Sequence, residues 1–139
     1  MVAPNAGRHK WRIAGFSFGD NGRMDPTLAS LTLELRKFAA ARNWEQFHSP
    51  KNLASALSVE AAELLEHFQW LTEAQSRSLD AAAKQAVGQE IADVLLYLLQ
   101  LADKLGLDVV QEARKKLALN AVKHPAPSPS KRGAGTEPG

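Results

Sequence analysis

The stretch Glu90-Ile-Ala-Asp93-Val-Leu-Leu-Tyr97-Leu-Leu-Gln100-Leu-Ala-Asp103-Lys-Leu105 decides the fold. Laid on a helix of about 3.6 residues per turn, Ile91, Val94, Leu95, Leu96, Leu98, Leu99 and Leu101 leave no solvent face. A helix that is apolar nearly all round must be covered on every side. The stretch therefore predicts a buried helix from about Leu79 to Leu105, stopped by Gly106. A small subunit has too few other helices to cover it alone, which predicts a homo-oligomer.

Working outward, Leu28, Leu31, Leu35 and Phe38 recur at helical spacing and predict a first helix from about Thr27 to Arg42. Asn43 to Pro50 breaks the period. Ser49-Pro50 then opens a second helix, with proline in its first turn, whose apolar row Leu53, Leu57, Leu64, Phe68 and Leu71 carries it to about Leu71. A last helix covers roughly Asp108 to Val122. No alternating segment competes as a strand, so the fold class is all-α: a four-helix bundle completed by oligomerisation.

The ends read differently. Residues 1–26 hold Gly7, Gly15, Gly19 and Gly22 without helical or strand period, and predict a flexible N-terminal arm. Residues 125–139 carry Pro125, Pro127, Pro129 and Pro138 among Ser, Lys, Arg and Gly, a composition that cannot build a core and predicts a disordered tail. The folded domain is thus expected over residues 27–124.

Charge follows the same division. The net charge of +2 hides seven acids against two bases over residues 60–93, while residues 104–139 carry seven bases and three acids. No element gathers a Lys/Arg stripe, so a nucleic-acid polymer is not an expected partner. No run approaches the roughly 20 apolar residues of a membrane span. The 139 residues include no cysteine, which excludes disulfides, thiolate metal sites and a cysteine nucleophile, and fits a cytoplasmic location.

The acidic middle is organised. Glu60-x-x-Glu63 lies on the second helix and Glu90-x-x-Asp93 on the third. Positions i, i+3, i+7 and i+10 cluster within roughly 80° of one another on a helix, so Glu60, Glu63, His67 and Trp70 share one face, and Glu90, Asp93, Tyr97 and Gln100 another. A short connection packs the two helices antiparallel and can bring the acids together. Four such carboxylates repel, and a divalent cation resolves the conflict. All-oxygen ligands favour Mg²⁺ or Mn²⁺ over zinc or copper, and the absence of Glu-x-x-His pairs weakens a di-iron reading. From spacing alone, two solvated acidic faces are the alternative.

The acid signature, with its 26-residue gap between Glu63 and Glu90, resembles that of the MazG-like all-α nucleotide pyrophosphohydrolases, most closely their dCTP pyrophosphatase branch. The same branch is resembled by Phe38-Ala-Ala-Ala-Arg-Asn-Trp44-Glu-Gln-Phe-His48, by Phe68-Gln-Trp70, by Asp93-Val-Leu-Leu-Tyr97 and by Asn120-x-x-Lys123-His-Pro125. Together these run from about Leu31 to Pro125. Leu35 departs from the histidine often found nine residues before the loop tryptophan, His67 from an apolar residue, and His124 from a tyrosine.

The resemblance implies Mg²⁺-dependent hydrolysis of a nucleoside triphosphate, dCTP or a modified dCTP, to monophosphate and pyrophosphate. It implies Glu60, Glu63, Glu90 and Asp93 as metal ligands and catalytic groups, and, in place of the simple dimer that the apolar helix allows, a tetramer built from dimers. Trp44, His48, Trp70 and Tyr97 are the expected base pocket, and Lys116, Asn120 and Lys123 candidate phosphate contacts. Phe38, Phe68 and His67 are assigned to packing or helix surface. Two other functions stay open: a broad-specificity house-cleaning pyrophosphatase, and a non-catalytic helical interaction module.

Overall fold

The computed structural model describes residues 27–126, so the expected arm over 1–26 and most of the expected tail lie outside the described residues. Among the described residues five α-helices follow one another: α1 (Leu28–Ala40), α2 (Pro50–Glu66), a one-turn α3 (Glu73–Ser76), α4 (Ala81–Lys104) and α5 (Val109–Lys123), with a 3-10 turn at Trp44–Phe47 between α1 and α2. There is no strand among the described residues. The all-α class holds.

Each boundary has a local cause. The Thr27 hydroxyl accepts from the Ser30 amide at 3.0 Å, and the Ser30 hydroxyl accepts from the Thr27 amide at 3.0 Å, closing a capping box on α1. Ser49 caps α2 through the Asn52 amide with Pro50 following, and Asp80 caps α4 through the Ala83 amide at 2.7 Å. At the far end of α4, Gly106 takes the left-handed conformation (φ 66°). The Leu107 amide donates to Ala102 O and the Gly106 amide to Asp103 O, the paired bonds of a Schellman stop.

Two expectations need correction. The second helix ends at Glu66 rather than Leu71, and residues 67–70 form turns. The cause lies in Thr72 and Gln75, which cap one another (Thr72 N to Gln75 Oε1, 2.8 Å) and hold Thr72 in the extended conformation, starting α3. That short helix was hidden by its lack of an apolar period. The first helix stops at Ala40, because Asn43 (φ 54°) enters the left-handed region that no α-helix continues through.

The chain divides into two units, residues up to Leu107 and residues from Asp108. In the first, α2 packs along α4, and α1 packs on α4 near its C-terminal end. Glu60 faces Asp93 whereas the later His67 faces Glu90, so α2 and α4 run antiparallel. The core is small: Leu35 and Ala39 of α1, Leu53 of α2 (1% exposed), and Val87, Leu99 and Ala102 of α4. Arg36 is joined to Asp103 by a two-pronged ion pair, with Nε to Oδ2 at 2.8 Å, which ties α1 to α4. One face of α4 stays bare in the single chain: Ile91 and Leu98 are 52% and 41% exposed, and Leu105, just past the helix end, is 53% exposed.

The second unit consists of α5 with its cap and the residues following it. Asp108 accepts from the Val110 and Gln111 amides at 2.9 and 3.0 Å. Leu117, Leu119 and Val122 of α5 are all exposed.

Candidate metal centre and adjoining cavity

Carboxylate oxygens of Glu60, Glu90 and Asp93, one from each, all lie within 4.8 Å of one another, and each of the three residues is half-buried. Glu60 comes from α2 and the other two from successive turns of α4, so the group exists only where these helices dock. Glu63 is outside that group of three, but its charge bears on both Glu60 and Asp93.

The electrostatics record the crowding. Burial, then the charges of Asp93, Glu63 and Glu90, push the Glu60 carboxyl up to about 7. Asp93 is raised as well, by burial first and then by Glu90 and Glu63. Oxygen donors this close, with the ionisation of Glu60 and Asp93 held back by burial and by neighbouring acids, are the donor chemistry of a hard divalent cation. A divalent cation fits these residues.

His67 was assigned to the helix surface, and the structure corrects this. It follows the last residue of α2, and its Nε2 lies 4.0 Å from Glu90 Oε1 with both side chains largely covered. Its place seven residues after Glu60 carried that signal.

The expected base-pocket residues separate. Trp44 and His48 meet edge to face in the 3-10 segment, ring centroids 6.4 Å apart, and Trp44 also packs edge-on against Phe38 at 5.8 Å. The Arg42 guanidinium lies 3.5 Å over the Phe38 ring. Tyr97 is half-buried on α4, one helical turn beyond Asp93. Trp70, by contrast, stands 86% exposed in the turns after α2, off the helical row on which spacing placed it. Lys116, Asn120 and Lys123 occupy positions i, i+4 and i+7 of α5, in the second unit.

A cavity of about 300 Å³ opens between α1, the 3-10 segment and α4, lined by Leu35 and Ala39, by His48, and by Gln100, Asp103 and Lys104. Burial and the nearby Lys104 lower the His48 pKa, with Glu45 opposing them. Arg36 holds Asp103 below the usual carboxylate range. Sequence reasoning placed Gln100 on the acidic face but gave it no role. It is buried, at 8% exposure, and Nε2 donates to Leu96 O at 3.3 Å.

The MazG-like family profile matches residues 55–133, which include all four acids. The chain belongs to the MazG-like family. Among curated relatives, the MazG-like chain is 36% identical over 127 residues to dCTP pyrophosphatase 1 of Rattus norvegicus, covering 89% of this chain and 72% of that protein. It is 38% identical over 104 residues to dCTP pyrophosphatase 1 of Homo sapiens, covering 73% of this chain and 61% of the human protein. Its fold is similar to the crystal structure of a pyrophosphatase from Archaeoglobus fulgidus, with a TM-score of 0.69 and 36% identity over 76% of this chain and 99% of that one.

Proposed function

We propose that this MazG-like chain is a nucleoside triphosphate diphosphatase that hydrolyses dCTP or a modified dCTP to the monophosphate and pyrophosphate, cleansing the nucleotide pool of the cytoplasm. The observation that carries the reading is the convergence of Glu60, Glu90 and Asp93 from two antiparallel helices. Its relatives named dCTP pyrophosphatase 1 support the substrate class.

Glu60, Glu90 and Asp93 would hold Mg²⁺ or Mn²⁺, with Glu63 adding charge beside them. When bound, such an ion supplies positive charge against the triphosphate oxygens and a more acidic water. The chain's own residues do the rest. The four acids, left bare, repel a polyanion, so a cation held among them would have to offset their charge for a triphosphate to approach. Trp44 and His48 offer aromatic surface to a base, and half-buried Tyr97 follows Asp93 by one turn of α4. Exposed Trp70 is free to close over a substrate. Lys116, Asn120 and Lys123 of α5 would offer two cations and an amide to phosphate oxygens in a neighbouring subunit's site. The bare Ile91, Leu98 and Leu105 support self-association as a dimer or tetramer.

The test is a substrate panel with Mg²⁺ in which pyrophosphate and orthophosphate are detected separately. Pyrophosphate with dNMP, abolished by chelation, is the expected result. Orthophosphate with dNDP as primary products would overturn the reaction assigned here, and equal turnover of all dNTPs and NTPs would overturn the substrate preference.

A further inference from the structure

We propose that Gln100 reads the nucleobase and that its amide, held in one orientation by the α4 backbone, selects cytosine over uracil and thymine. This rests on the diphosphatase reading above and deepens it.

Gln100 is a buried primary amide on the wall of the cavity between α1 and α4. A buried amide normally satisfies both its oxygen and its nitrogen. Here Nε2 donates one hydrogen to Leu96 O, and among the described residues Oε1 accepts none. An acceptor and one remaining N–H donor therefore lie side by side at a concave surface.

That pair complements one particular base edge. Cytosine presents an exocyclic N4–H₂ donor beside its N3 acceptor, whereas uracil and thymine present an O4 acceptor beside an N3–H donor. The Gln100 oxygen would accept from N4, and its second amide hydrogen would go to N3. Reading uracil needs the amide turned over, which sets its oxygen against the Leu96 carbonyl and forfeits that bond. The helix backbone thus fixes which pyrimidine is matched.

The spacing suits the same nucleotide. Gln100 follows Asp93 by seven residues, nearly two turns, so it lies on the same face of α4 roughly 10 Å along the axis. A nucleotide whose phosphates meet the acids can place its base there, across a deoxyribose. Leu35 and Ala39 give the cavity an apolar wall against which a flat ring can lie, and His48 closes another side.

The experiment compares kcat/KM for dCTP and dUTP in the wild type and in Gln100→Leu, with melting temperatures alongside. A site built to pair a substrate N–H discriminates strongly against a base lacking it. The expected result is a fall of about tenfold to a hundredfold in the dCTP:dUTP ratio, carried by dCTP, with dUTP little changed. An equal fall for both substrates, or none for either, makes Gln100 a structural amide and overturns the proposal. A second measurement needs no variant: the wild type is given the triphosphate of 2-pyrimidinone deoxyriboside, which is cytosine without its amino group. Loss of at least tenfold in kcat/KM against dCTP is expected, and equal use overturns the proposal. Wild type that releases no pyrophosphate from any dNTP would bring down the diphosphatase reading itself, an outcome distinct from a preserved activity with an unchanged ratio.

Discussion

Glu60 carries the strongest electrostatic load of any residue near the site. Its carboxyl, ordinarily at 4.5, is pushed up to about 7 by burial and by three neighbouring acids. Between those values the folded, metal-free protein holds a proton that the unfolded chain has released, so stability falls as pH rises through that window. Asp93 shifts in the same sense. Thermal unfolding in chelator from pH 4.5 to 8 should show this decline for the wild type and a flatter profile for Glu60→Gln. A wild-type profile that rises over the window would show that the acids do not meet. Because a cation must displace the same proton, Mn²⁺ affinity should increase with pH up to about 7. Turnover should fall by orders of magnitude in Glu60→Gln and Asp93→Asn, and circular dichroism should show the helices intact. Trp70 gives the complementary case. At 86% exposure its truncation to alanine removes no core contact, so the melting temperature should stay nearly constant. Stacking on a base is worth about 1–3 kcal/mol, so KM for dCTP should rise about tenfold to a hundredfold if Trp70 closes over substrate.

Among the elements, α4 ends where Gly106 turns left-handed, and nothing lies within 4 Å of where a Cβ would sit. Gly106→Ala therefore tests backbone strain alone. The cost should be about 1–2 kcal/mol, read as a drop of several degrees in melting temperature. That stop was legible in the sequence because glycine past an apolar run has one common meaning. So were Ser49-Pro50 and Thr27, whose chemistry is local. The end of α2 was not. Phe68 and Leu71 continue the apolar period, and only the reciprocal capping of Thr72 and Gln75 ends the helix before them. The same error placed Trp70 in the row of acids. Glu60, Glu90 and Asp93 were legible as a convergent set because helical spacing and an antiparallel turn suffice to bring them together. Glu63 belonged to that set by spacing, yet which carboxylates touch depends on how two helices rotate against one another, and periodicity does not record rotation. The pairing of His67 with Glu90, and the Gln100 cavity, depend on that docking too.

At the scale of the molecule, Ile91 and Leu98 leave an apolar strip of α4 open to solvent in the single chain. Light scattering at micromolar concentration should give a dimer or tetramer, and a mass near 15 kDa with full activity would overturn self-association. Replacing Ile91 and Leu98 by charged residues should shift the population toward monomer. A ligand that binds only the folded state stabilises it by about 2.7 kcal/mol at a concentration a hundred times its Kd. Saturating Mg²⁺ should therefore raise the melting temperature of the wild type and leave that of Asp93→Asn nearly unmoved.

The donors of the acid cluster come from two helices, with Glu60 and Glu90 thirty positions apart in the chain. A cation seated there would act as a removable clasp. It would close a long loop in the partly opened protein, as a covalent bridge does, but one that any chelator can undo. Stripping it should release the amide hydrogens of α2 and α4 to exchange together, as one opening unit, and should hasten cleavage by a protease. The persistence of this protein in a cell would then follow the supply of divalent metal, making its abundance a readout of ionic conditions as well as of gene expression.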